Sequence, residues 1–173
     1  QLEQFYLNYL LLMAAYSMIW WLLPLLALAI FLILSVYHFG QSNWHYVNFE
    51  NKTQAWATYL NWGAFVLFVP IFWHFDMAVP ILSSITRSKV LLLDPTWGQI
   101  LCLILLLTNM CMTCVLAVNR LINRRQLAQE LLNLLLLSCL FIFTPLILGF
   151  VVYFVFWHST CSVADQIRFF KDR

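Results

Sequence analysis

Two of the four histidines in this chain end long apolar runs in matching settings. The first run opens at Pro24, is almost wholly apolar to Tyr37, and closes on His38-Phe39-Gly40-Gln41-Ser42-Asn43-Trp44. The second opens at Pro145 and closes on Phe156-Trp157-His158-Ser159. A neutral imidazole at the end of a membrane helix binds a metal ion without placing a full charge in hydrocarbon. Imidazole suits iron, zinc and copper, and a ligating ring donates its other N–H to a neighbouring acceptor. One such histidine alone is more often a hydrogen-bonded interfacial residue, whereas a matched pair points to a metal or a haem.

Helical spacing puts Ser42 one turn beyond His38 and Ser162 one turn beyond His158. With Asn43 and Ser159 these are the residues expected to support the site from behind. His45 is a third candidate ligand, sharing a face with His38 only if the helix runs on through Gly40. Tyr37, Trp44, Tyr153 and Trp157 cluster near the two histidines and are candidates for the wall of an apolar substrate slot. They could equally face lipid. His74, in Trp73-His74-Phe75-Asp76, reads as part of an aromatic interface belt. Asp165 reads as the polar end of the last helix.

The elements that must carry these residues are membrane helices. A span takes about 20 apolar residues to cross a hydrocarbon core roughly 30 Å thick, and the runs here are continuous rather than alternating, which excludes strands. Six spans are expected, over 5–21, 23–39, 54–75, 97–118, 127–143 and 145–165. Pro24 suits the first turn of its helix, where an N–H is not needed. Gly40, Ser42 and Asn43 read as a stop signal. The loops 41–53 and 119–126 lie between spans, and 76–96 reads as an interfacial or re-entrant segment. The fold class is therefore all-α, a single polytopic bundle over residues 1–173.

Lysine and arginine set the orientation. Lys52, Arg120, Arg124, Arg125, Arg168, Lys171 and Arg173 fall on one side, with Arg87 and Lys89 on the other. Positive loops mark the cytoplasmic face, so both ends and both named loops are expected there, in a plasma membrane. His38 and His158 then end their spans at the same depth, while His74 ends a span running the other way.

Composition agrees. The 173 residues are 64% hydrophobic and only 9% charged, against roughly 25% charged in soluble domains. A net charge of +2, placed in short loops, excludes a nucleic-acid surface. The cysteines Cys102, Cys111, Cys114, Cys139 and Cys161 read as small buried hydrophobes, the CxxC spacing of Cys111 and Cys114 having no partner ligands beside it.

Several motifs resemble the Brp/Blh family of bacteriorhodopsin-related proteins, typified by β-carotene 15,15′-dioxygenase. Ser35-Val36-Tyr37-His38-Phe39-Gly40 resembles the family's His-Phe-Gly motif. Tyr153-Phe154-Val155-Phe156-Trp157-His158-Ser159 resembles its closing motif. Phe5-Tyr6, Tyr9, Trp20-Trp21 and Pro24 resemble the approach to the first, and Val69-Pro70-Ile71-Phe72 is similar but unspecific. The resemblance covers nearly the whole chain. It implies a membrane enzyme with non-haem Fe(II) held by histidines, His38 and His158 matching two ligand positions. It further implies central cleavage of β-carotene with O2 into two molecules of retinal, the chromophore of microbial rhodopsins, with which a functional link is expected.

This chain departs from the family pattern at two motif positions. Ser162 stands where a second closing histidine is usual, and Asn43 where an acidic residue is usual. An early His-Gly-x-x-Asp-His segment of the family is expected in a further span preceding Gln1. The departures leave a second expectation open: a carotenoid-binding or accessory membrane subunit without a complete metal site. A small cytochrome, with His38 and His158 as axial haem ligands, is a third.

Overall fold

In the computed structural model, residues 2–88 and 94–159, with 163 and 167, are described. Among them every regular element is a helix, with no strand: α1 (Leu2–Leu22), α2 (Pro24–Asn43), α3 (Lys52–Trp73), α4 (Phe75–Thr86), α5 (Pro95–Val118), α6 (Arg124–Phe143) and α7 (Leu146–Val152), the last continued by a π-helical stretch, Tyr153–His158. Five of these, α1, α2, α3, α5 and α6, are long and apolar enough to cross a membrane. The expected sixth span is a shorter apolar helix, Leu146–His158, as far as it is described. Ser162, Asp165 and Cys161 lie outside the described residues.

The bundle is apolar on its outside as well as its inside. Large apolar side chains of α1, α2, α5 and α6 are exposed, among them Leu12, Trp21, Leu34, Leu107 and Leu135. This is the pattern of a chain whose solvent is lipid, since an exposed apolar patch of this extent would associate in water. The same logic corrects the cysteines. Cys102 is buried as expected, but Cys111, Cys114 and Cys139 are exposed on the outer faces of their helices.

The central helix is α3, with Trp62, Gly63, Phe65, Val66, Leu67, Val69 and Pro70 all buried. Its contact with α2 depends on two glycines. A methyl group on Gly40 would overlap the Tyr59 carbonyl oxygen, and one on Gly63 would overlap that of Val36. The contact is reciprocal and antiparallel: Val36 and Gly40 are one turn apart on α2, and Tyr59 and Gly63 one turn apart on α3. Small residues that let backbones approach are how helices associate where lipid removes the hydrophobic driving force. Gly40 is therefore not the helix stop its sequence context suggests, and α2 runs on to Asn43 before Trp44 caps it.

Polar side chains fasten other helix pairs. The Thr108 hydroxyl donates to Asn61 Oδ1 at 3.0 Å, and the Asn109 amide donates to the Asn61 carbonyl at 3.1 Å, joining α5 to α3. At the joint between α1 and α2 the Tyr16 hydroxyl donates to the Ala27 carbonyl at 3.0 Å. Helix α6 opens on a reciprocal cap: Asn123 accepts from the Gln126 N–H while the Gln126 side chain accepts from the Asn123 N–H.

His74 sits at the break between α3 and α4, and its role is structural. Its Nε2 lies 2.9 Å from the Phe141 carbonyl oxygen. Pro145 has no N–H, so the carbonyl four residues before it lacks its usual helical donor. A carbonyl can only accept, hence Nε2 carries the proton and supplies the missing bond.

Candidate functional site

The α2–α3 contact fixes the depth and rotation of His38. The π-helical stretch does the same for His158, since one wider turn shifts the register of the side chains that follow; such turns recur at functional sites. The two imidazoles meet edge to face, with ring centroids 5.4 Å apart. Phe39 lies 5.4 Å from the His158 ring, Phe154 6.1 Å and Tyr153 6.4 Å, the last nearly parallel to it. The pair thus has an aromatic collar. His158 is half-buried within it, and His38 is exposed at the bundle edge.

Beside the pair is a cavity of about 350 Å³, lined by Phe39, Ser42, Asn43, His45, Tyr46, Glu130, Tyr153, Trp157 and His158 among others. Of the residues expected to support the site, Ser42 and Asn43 line this cavity, whereas Ser159 is exposed. Of the four aromatic candidates, Tyr153 and Trp157 line it. Tyr37 does not: one position before His38 on α2, it is turned toward α3, tilted against Trp56 at 4.8 Å and edge to face with Tyr59 at 5.8 Å. Trp44 is also elsewhere, 1% exposed in the core and edge to face with Trp62 at 5.9 Å.

His45 lines the same cavity but does not join the pair. Its Nδ1 lies 2.8 Å from the Ser42 carbonyl, to which it must donate. Among the described residues no three His, Cys, Asp or Glu side chains come close enough together to hold a metal ion.

Three polar residues of this cavity, Tyr46, Glu130 and Asn133, are not among the candidates read from the sequence, and Glu130 is the centre of them. Glu130, on α6, is 6% exposed. Its Oε1 accepts from the Tyr46 hydroxyl at 2.8 Å, and its Oε2 accepts from the amides of Asn43 at 3.2 Å and Asn133 at 3.4 Å. All three neighbours donate, which is the environment an ionised carboxylate needs. Burial, together with the charge of Glu130 and its hydrogen bond, pushes the Tyr46 phenol far above its usual range. The signal was available in the sequence, because an acidic residue inside an apolar run marks a function by default.

The beta-carotene 15,15'-dioxygenase family matches the chain over residues 1–173. The chain belongs to this family. The match spans every residue singled out above, including both histidines and Glu130. No curated protein and no solved structure matches the chain. Membership supports a dioxygenase-type enzyme acting on a carotenoid, in a chain whose long apolar helices suit a membrane.

Proposed function

We propose that this protein is a membrane-embedded non-haem iron dioxygenase that cleaves the central 15,15′ double bond of β-carotene. One polyene and one O2 give two molecules of retinal. The observation that carries this is the meeting of His38 and His158, from the two ends of the chain, at 5.4 Å between ring centroids.

The pair fits two positions on one ion. A metal–imidazole bond of about 2.1 Å, with the ring radius added, puts each centroid roughly 3.2 Å from the metal, so two rings sharing an ion stand at most ~6.4 Å apart. Ferrous iron held by His38 and His158 would supply the activation of dioxygen. The remaining work falls to the chain's own residues. Tyr153, Trp157 and Phe39 would hold the polyene by its flat face and keep water from the reacting bond. Glu130 would act indirectly, by fixing Asn43 and Tyr46 at the end of the helix that bears His38. The lysine and arginine distribution supports an orientation with both ends cytoplasmic, and a lipid-dissolved substrate gives a reason for building the site in the bilayer.

One observation favours a second reading. The described residues bring two imidazoles together, without a third donor in the cluster, as a carotenoid-binding subunit without a complete metal site would. Expression of the full-length protein in cells that accumulate β-carotene, with chromatography of the pigments and metal analysis of the purified protein, separates the two. The enzyme gives two retinals per β-carotene lost, stoichiometric iron, and loss of both with His38→Ala or His158→Ala. Intact carotenoid co-purifying without iron would overturn it in favour of the binding subunit.

A further inference from the structure

Two adjoining cavities lead to the histidine pair from the end of the bundle where α2 stops and α6 starts. The inner one, of about 350 Å³, has His158 in its wall. A second, of about 500 Å³, reaches Gln126 and Gln129 in the first two turns of α6. His45, Tyr46, Glu130 and Asn133 line both, so the two spaces meet at those four side chains. Gln129 is exposed and marks the outer mouth.

The charge along this passage has one sign. Glu130 supplies a carboxylate, and Asn43, Asn133, Gln126 and Gln129 add neutral amides. Arg124 and Arg125 open α6, yet no lysine or arginine is among the described residues that line either cavity. Glu130 accepts hydrogen bonds from neutral donors, which hold its charge without cancelling it. A cleft with a single sign of charge between low-dielectric walls concentrates counter-ions and speeds their arrival.

The other face of the pair offers an ion no such approach. His38 is exposed at the bundle edge, one turn beyond Leu34, which is exposed as well. That edge faces hydrocarbon, where an ion stripped of water meets a prohibitive desolvation cost. The pair therefore stands between a lipid-facing edge that suits a polyene and a polar passage that suits an ion.

We propose that this passage is the loading route by which a hydrated divalent cation reaches His38 and His158, drawn inward by the charge of Glu130. It rests on the metal-dependent reading above and adds to it where the ion enters and which residues set the rate.

The test is a loading rate. Full-length protein stripped of metal, in micelles of a neutral detergent at low salt, is mixed with Co2+, and the cobalt retained after rapid desalting is measured against time. His38→Ala and His158→Ala should abolish retention. Gln129→Lys should slow uptake about threefold to fivefold and Gln129→Glu should speed it by a similar factor, the effect of one charge added beside the path of a divalent ion. The amount bound at the end should match the wild type, and the differences in rate should shrink at high salt. Gln99→Lys, exposed near the start of α5 at the opposite end of the bundle, should load at the wild-type rate. Equal rates in the wild type, Gln129→Lys and Gln129→Glu overturn the route and leave the histidine site standing, as does an equal slowing by Gln99→Lys. A wild type that retains no cobalt at the histidines overturns the metal-dependent reading itself, and the route with it.

Discussion

Glu130 offers the sharpest test of how the site is held. Its carboxylate, buried to 6% exposure, ties α6 to Asn43 at the end of α2 and to Tyr46 in the loop that follows. Glu130→Ala strands all three donors, and breaking a buried charged network by removing one partner costs about 3–5 kcal/mol. Glu130→Gln is a milder change. With its NH2 turned to Tyr46, whose hydroxyl can accept as well as donate, and its oxygen toward the two amides, every pairing survives. Only the charge assistance is lost, roughly 1–2 kcal/mol. Tyr46→Phe removes one charge-assisted bond, about 1.5–3 kcal/mol. The assay is reversible unfolding in mixed micelles, with Tyr46→Phe measured in both the wild-type and Glu130→Ala backgrounds. The network requires that Tyr46→Phe lose most of its effect once the carboxylate is gone. A Glu130→Ala cost below about 1 kcal/mol, or strictly additive effects of the two substitutions, would refute it.

Two further outcomes follow from the same geometry. Gly40→Ala and Gly63→Ala each force the backbones of α2 and α3 apart, and should destabilise by at least the roughly 1–3 kcal/mol of an overpacked core in the same unfolding assay; a neutral effect of both would remove the close contact. Tyr46 holds its proton in the folded protein to well above its ordinary range, so the unfolded state loses that proton first as pH rises. Stability should therefore fall above about pH 10, Tyr46→Phe should flatten that fall, and phenolate absorbance should show one tyrosine titrating only on unfolding.

What the sequence made legible here is mostly what lipid dictates. Continuous apolar runs read directly as helices, and α5 and α6 end where composition puts their ends, at Val118 and Phe143. The paired settings of His38 and His158 were legible because both interrupt such runs. The departures are tertiary. Gly40 looks like a stop, yet α3 supplies a backbone against which only glycine fits, and the helix continues. Tyr37 and Trp44 stand next to site residues in sequence, but a helix turns neighbours about 100° apart, so one packs on α3 and the other on the core. His74 carries the same side chain as the paired histidines, yet it bonds to the Phe141 carbonyl, sixty-seven residues away in sequence, which Pro145 leaves without its helical donor.

Glu130 shows why local patterns miss such a site. Its partners on α2 and in the following loop are 87 and 84 residues away in sequence, so no motif window contains the network. Yet each member is unusual on its own terms. A carboxylate in an apolar run, an asparagine closing a helix and a tyrosine just beyond it are each costly to bury alone, and become favourable together. The consequence reaches His38 through the backbone: the end of α2 is pinned on one side by Gly40 against Tyr59 and on the other by Asn43 against Glu130. His38 lies less than two turns from both pins, close enough that its ring position is set by rigid helix rather than by loop. An imidazole held in this way has its ring position fixed by helix packing, which is the preorganisation that the proposed site would require.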